Sequence, residues 1–142
     1  LQGKMPEASA LSLHNVQRIA VGWSHETWLF DLHYTEKGAA RQLGMCLRRD
    51  PGNALLQHLS DLGQQFRVLQ CLEKTGVPSP KPYWHEDDPA ILGAPFLVME
   101  KVPGECPSPW GREGRAYYRA AAARGRDQAR WTTINGAMMT IR

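Results

Sequence analysis

At 142 residues, with 42% hydrophobic and 22% charged side chains, the chain has the composition of a globular protein, and its length buries about two-thirds of the unfolded surface in a single domain. No apolar run reaches the roughly eighteen residues of a membrane-spanning helix, and residues 1–10 hold Lys4 and Glu7 but no apolar stretch of a secretory signal. The net charge of +3 is unevenly placed: ten Lys/Arg face twelve Asp/Glu over residues 1–110, and seven face two over residues 111–142, so the basic character belongs to the C-terminal segment.

Residues 16–21 and 26–34 have β-type composition and flank Gly22, which predicts two strands around a glycine-containing turn. A third strand is predicted over residues 42–49, and Asp50-Pro51-Gly52-Asn53 closes the run with a dense turn signal. The period then changes. Leu55, Leu59, Leu62, Phe66, Leu69 and Leu72 recur every three or four residues, the stripe of an amphipathic helix, and Gly76 stands where a C-capping glycine belongs. Residues 77–82, Val-Pro-Ser-Pro-Lys-Pro, cannot be helical because each proline forces its predecessor toward extended geometry.

A short strand follows over residues 83–85. The acidic cluster Glu86-Asp87-Asp88 with Pro89 reads as a solvated turn, and residues 95–102 as a last buried strand that Pro103-Gly104 halts. Three strands, a helix and two more strands predict an α+β fold, a five-stranded antiparallel sheet carrying one main helix. Beyond Gly104, residues 106–111 are loop-like. Residues 113–130 read as an Ala/Arg-rich helix that buries little surface and needs a partner, and residues 131–142 show no clear period. Cys46, Cys71 and Cys106 are odd in number and lack a C-x-x-C pair, so they read as reduced thiols of a cytoplasmic protein rather than a disulfide framework or a zinc site.

Three blocks carry more than fold information: Val21-Gly22-Trp23-Ser24-His25-Glu26-Thr27-Trp28, Met45-Cys46-Leu47-Arg48-Arg49-Asp50-Pro51, and the strand and hinge from Leu92 to Gly104. In this order and spacing they resemble the nucleotide lobe of the aminoglycoside phosphotransferase family, and within it the phosphotransferase domains associated with acyl-CoA dehydrogenases. The resemblance covers about residues 12–110, and from Arg112 onward the sequence departs from the family. It implies a protein-kinase-like N-lobe over residues 1–104, and a linker with the truncated start of a helical second lobe over residues 105–142. ATP is the implied cofactor, with magnesium in the full-length family, and the implied reaction is phosphoryl transfer to a hydroxyl of a small-molecule acceptor.

By this resemblance, the turn around Gly22 covers phosphates through backbone N–H groups and the hydroxyls of Ser24 and Thr27. Read alone, one glycine between strands is more often an ordinary hairpin, and neither G-x-G-x-x-G nor a Walker A motif is present. Arg48 takes the place of the phosphate-pairing cation, commonly lysine in the wider kinase-like group; a guanidinium grips phosphate oxygens in a fork. Arg49 alternates to the other face, toward solvent. Family members hold the cation with a glutamate on the next helix, and here Gln65-Phe66-Arg67-Val68-Leu69 puts Gln65 in that place, an amide that accepts from Arg48 without supplying charge. At the hinge, the backbone of Glu100, Lys101 and Val102 is expected to meet the adenine edge, with Val98 and Met99 near the base.

No residue is read as catalytic or as a metal ligand. None of His14, His25, His33, His58 and His85 opens a His-Gly-Asp run, no Asp-Phe-Gly-like run occurs, and Glu86-Asp87-Asp88 precedes the hinge. The expectation is therefore a fragment of an ATP-dependent phosphotransferase without its catalytic lobe; a non-catalytic nucleotide-binding or protein-interaction lobe is the rival. A nucleotide is the expected partner, with no membrane and no specific nucleic acid. Trp23, Trp28, Trp84 and Phe96 read as core or rim aromatics, since no basic groove interleaves with them.

Overall fold

Lys37 and Gly38 have φ angles of +50° and +76°, positive values at both central positions of a two-residue hairpin, the condition for a type I′ turn whose twist matches that of its strands. The turn joins β2 (Glu26–Glu36) to β3 (Ala39–Arg49), which pair without interruption from Glu36↔Ala39 to Glu26↔Arg49. Both strands therefore run further toward the turn than the sequence predicts, because Lys-Gly suffices to reverse the chain. The computed structural model describes residues 2–19, 25–50, 52, 61–104, 111–124, 130–134 and 137–141. Gly22, Ser24, Leu55, Leu59 and Cys106 lie outside them.

β1 (Ala8–Ile19) starts well before the predicted residue 16 and pairs with β2 through two register shifts. Ala10 and Asn15 sit within these shifts with φ near +51° and +52°, the left-handed backbone of a bulge residue. β4 (Pro82–Glu86) and β5 (Phe96–Glu100) complete an antiparallel sheet of order β1-β2-β3-β5-β4, the five-stranded α+β arrangement expected. One face carries Phe30, Leu32, Met45, Phe96 and Val98 as a buried cluster, against which Leu11, Tyr34, Leu43, Leu47, Tyr83 and Trp84 pack.

α1 (Leu62–Glu73) begins at Asp61, whose carboxylate accepts from the Gln64 N–H at 3.0 Å and satisfies a donor of the first turn. Its apolar stripe buries Leu62 and Leu69. A Cβ at Gly63 would stand 3.1 Å from Asp61 Oδ1 and 3.1 Å from His85 Cε1, so the missing side chain lets this turn approach β4. The predicted glycine cap is not used. Lys74, at φ −85°, ends the helix by donating to the Cys71 and Leu72 carbonyls, and its ordinary backbone leaves Gly76 no left-handed position to fill. The acidic turn holds one helical turn, α2 (Pro89–Leu92), which Asp88 caps by accepting from Ala90 N–H and Gly93 closes at φ +77°.

The chain divides into two compact units, Leu1–Lys101 and Val102–Arg142. In the second, α3 (Gly111–Arg124) ends before the predicted residue 130. Arg130 instead opens β6 (Arg130–Ile134), which pairs antiparallel with β7 (Ala137–Ile141). Thr132, Thr133 and Ile134 are β-branched, a composition that suits a strand over residues that show no clear period in the sequence.

Cys46 is buried and Cys71 exposed, both as free thiols. Burial pushes the Cys46 thiol up to about 11, with nearby Arg48 pulling the other way. A thiol raised in the folded state stabilises the fold below the ordinary value of 9.0 and loses that contribution as pH rises through about 11. Alkylation of the native protein at pH 8, mapped by peptide mass, is expected to label Cys71 quickly and Cys46 only after denaturation.

Candidate functional site

Strand alternation separates the two cations that end β3. Arg48 shares its face with Cys46, while Leu47 and Met45 turn to the apolar cluster. Thr27 stands directly across from Arg48 on β2. Nη1 of Arg48 donates to Gln65 Oε1 at 3.2 Å, and Nη2 lies 3.1 Å from Nδ1 of His25. His25 is buried, and Gln65 keeps a buried Nε2 that has no hydrogen-bond partner among the described residues. Burial pulls the Arg48 pKa down, yet a guanidinium stays charged. Among the described residues no carboxylate pairs with it. Arg48 is thus a half-buried cation held by two neutral acceptors.

Arg49 is not the solvent-facing residue expected. Its Nη1 bonds Glu26 Oε2 at 2.8 Å and its Nε donates to the Leu92 carbonyl at 2.8 Å, tying the end of β3 to β2 and to α2. Glu26 also receives Arg18 at 2.9 Å, so its carboxylate bridges two arginines. The sequence shows the alternation but not these partners, which come from a cross-strand neighbour and a helix forty residues on.

At the hinge, Met99 pairs with Cys46 and is buried on the Arg48 face, whereas Val98 belongs to the opposite apolar cluster with Phe30 and Leu32. The expectation that both flank a ligand therefore fails for Val98, because neighbouring strand residues face opposite ways. The Glu100 N–H donates to the Lys81 carbonyl at 2.8 Å, and the Lys81 N–H bonds the Glu100 carboxylate at 3.2 Å. The Lys101 N–H donates to the Gly44 carbonyl at 3.0 Å. Val102 opens the second unit.

Lys101 has a structural engagement that the sequence does not reveal. Its ammonium meets Asp31 Oδ1 at 2.6 Å, while the Asn15 amide donates to Asp31 Oδ2 at 2.7 Å. The bulge at Asn15 places that amide, and Gly44 leaves room for the lysine, since a Cβ there would stand 3.3 Å from Lys101 Cβ. The Asn15 hydrogen bond, then Lys101, hold the Asp31 carboxyl below its ordinary pKa, so this network contributes stability above that value and loses it as pH falls through the lowered one.

His25 is the residue that sequence reasoning missed. It stands two positions before Thr27, and the antiparallel register that sets Thr27 opposite Arg48 is the only signal that brings it near the cation.

Comparison with known proteins bears on this arrangement. The model of the phosphotransferase enzyme family matches residues 15–135, beyond Trp110 where the resemblance read from sequence stops. The chain is 32% identical over 119 residues to probable acyl-CoA dehydrogenase IBR3 of Arabidopsis thaliana, covering 78% of this chain and 14% of that protein. It is 38% identical over 66 residues to acyl-CoA dehydrogenase family member 10 of Mus musculus, covering 46% and 6%. The chain therefore spans a small part of these curated relatives. A crystal structure from Ralstonia eutropha JMP134, provisionally assigned as an aminoglycoside phosphotransferase, aligns at a TM-score of 0.47 and 23% identity over 75% of this chain and 28% of that one.

Proposed function

This chain belongs to the phosphotransferase enzyme family, and from that premise we propose that residues 1–104 are the ATP-binding lobe of a phosphotransferase acting on a small-molecule hydroxyl. In this reading residues 105–142 are the linker and the start of the second lobe, which holds the strand pair β6–β7 as well as the expected helix, without the catalytic machinery. The observation that carries the proposal is Arg48, a half-buried cation with neutral acceptors and no carboxylate partner among the described residues. Such a charge is stabilised by an anion brought to it, and a phosphate fits the fork of a guanidinium.

Thr27 faces Arg48 across the ladder, and in this reading its hydroxyl, with the donors of Gly22 and Ser24 that lie outside the described residues, serves the same phosphates. Met99 supplies an apolar surface on the Arg48 face for the base. Because the N–H groups of Glu100 and Lys101 are engaged in the sheet, the adenine edge is read by the Glu100 carbonyl and the Val102 N–H. Lys101 acts through its bond to Asp31, which steadies the hinge. Among the described residues no cluster of three His, Cys, Asp or Glu is placed to hold a metal, so the magnesium that accompanies ATP is assigned to no side chain here. Among the described residues no helix is long and apolar enough to cross a membrane, and the protein is read as cytoplasmic.

Positioning without a base for the acceptor hydroxyl gives no turnover, and the sequence holds no His-Gly-Asp run to supply one. A steady-state ADP-release assay with amino-alcohol and hydroxyacyl acceptors is expected to stay at background. Turnover that Arg48→Ala abolishes would contradict this. The neutral Gln65 in the glutamate position favours a nucleotide-binding lobe without catalysis as the second reading. Whether the gene encodes a catalytic aspartate loop after this segment decides between the two.

A further inference from the structure

His25 acquires a role from the geometry around Arg48. A guanidinium has only donors to offer, so the 3.1 Å contact between Arg48 Nη2 and His25 Nδ1 requires a lone pair on Nδ1 and the ring proton on Nε2. His25 is neutral in this arrangement. The same logic orients the Gln65 amide, oxygen toward Arg48 at 3.2 Å and buried Nε2 away from it.

We infer that His25 is a positioning residue: its Nδ1 lone pair and the Gln65 oxygen hold the Arg48 guanidinium between two uncharged acceptors and leave its whole charge to the phosphates of the ligand. The inference deepens the nucleotide reading and rests on it. A carboxylate in either place would offset part of that charge, whereas imidazole and amide fix the direction of the N–H bonds alone. The histidine is 6% exposed, so its ring is confined in a way that a surface side chain is not.

Protonating His25 turns its acceptor into a donor and sets a second cation beside Arg48. Burial and the Arg48 charge both oppose that protonation, so the neutral, accepting form is the one this environment favours. Among the described residues, His25 bonds Arg48 from β3, which shares its face with the neutral Cys46 thiol and bonds the uncharged Gln65 from α1. Glu26, its neighbour in sequence, is held by Arg18 and Arg49.

The test is calorimetric titration of ATP into the full chain at pH 8, for the parent, His25→Phe, His25→Asn and Arg48→Ala. His25→Phe keeps a ring but loses the acceptor, and is expected to weaken ATP about tenfold at pH 8. His25→Asn supplies an amide oxygen that does not titrate, and should stay within about twofold of the parent at pH 8.

In the ligand-free protein, 15N spectra of the imidazole should show an unprotonated Nδ1 at neutral pH, a readout independent of the variants' folding. Parent-like affinity for His25→Phe alongside a loss in Arg48→Ala would overturn the positioning role and leave the phosphate site standing. A protonated Nδ1 would overturn it as well. Parent-like affinity for Arg48→Ala, or no ATP binding by the parent, would remove the nucleotide reading itself and this inference with it.

Discussion

Replacing Arg48 with alanine is expected to weaken ATP binding roughly ten- to hundredfold, while Arg49→Ala leaves it unchanged. One charge-assisted hydrogen bond to a phosphate is worth about 1.5–3 kcal/mol, which sets the size of the loss. The contrast between the two variants follows from the strand. Arg48 lies on the face with His25 and Gln65, and Arg49 on the other, bonded to Glu26 and the Leu92 carbonyl. Arg49→Ala should instead lower stability modestly, since Glu26 retains Arg18. Calorimetry of both variants, with a denaturation curve for each, separates binding from folding. Equal ATP affinities for parent and both variants would mean that the phosphate assignment is wrong.

The largest effect on stability is expected from Leu32→Ala. Leu32 is fully buried at the centre of the cluster formed by Phe30, Met45, Phe96 and Val98, with strands on both sides that cannot collapse into the space. Removing a buried leucine side chain costs about 2–5 kcal/mol, the lost transfer energy plus the cavity left behind. Leu13→Ala, on the outer strand β1 and 49% exposed, should stay within about 0.5 kcal/mol. Urea titration at constant slope measures both. A Leu32→Ala loss no greater than that of Leu13→Ala would show that the core does not sit on this face of the sheet.

What the sequence makes legible is what local chemistry determines. The alternation through Met45, Cys46, Leu47 and Arg48 gives the strand and the opposed faces of its two arginines. The spacing of Leu62, Phe66 and Leu69 gives the helix, and the Gln65 pairing with Arg48 appears where the family resemblance puts it. Boundaries were harder to read, because they depend on which of several adequate signals acts first. Lys37-Gly38 reverses the chain between strands that composition alone ends short, and Lys74 stops α1 ahead of a glycine that only looks like a cap.

The partners of Arg49, the Asn15–Asp31–Lys101 network and the contact of His25 with Arg48 were not legible at all. Each joins residues brought together by strand register or by a bulge, and neither feature leaves a periodic trace. Val98 was misplaced for a simpler reason. The apolar run 96–99 is buried on both faces of β5, so hydrophobicity does not say which residues face the ligand and which the core.

The central claim is that the Arg48 face of this sheet binds a nucleotide. Titration of ATP into the uniformly 15N-labelled full chain, followed residue by residue, tests it most directly. The account predicts saturable shifts confined to the neighbourhood of His25, Thr27, Arg48 and Gln65 and to the hinge from Met99 to Val102, with Leu13 and Arg49 unmoved. Shifts restricted to the basic residues 111–142 and abolished by physiological salt, or no saturable shift on the Arg48 face, would contradict it.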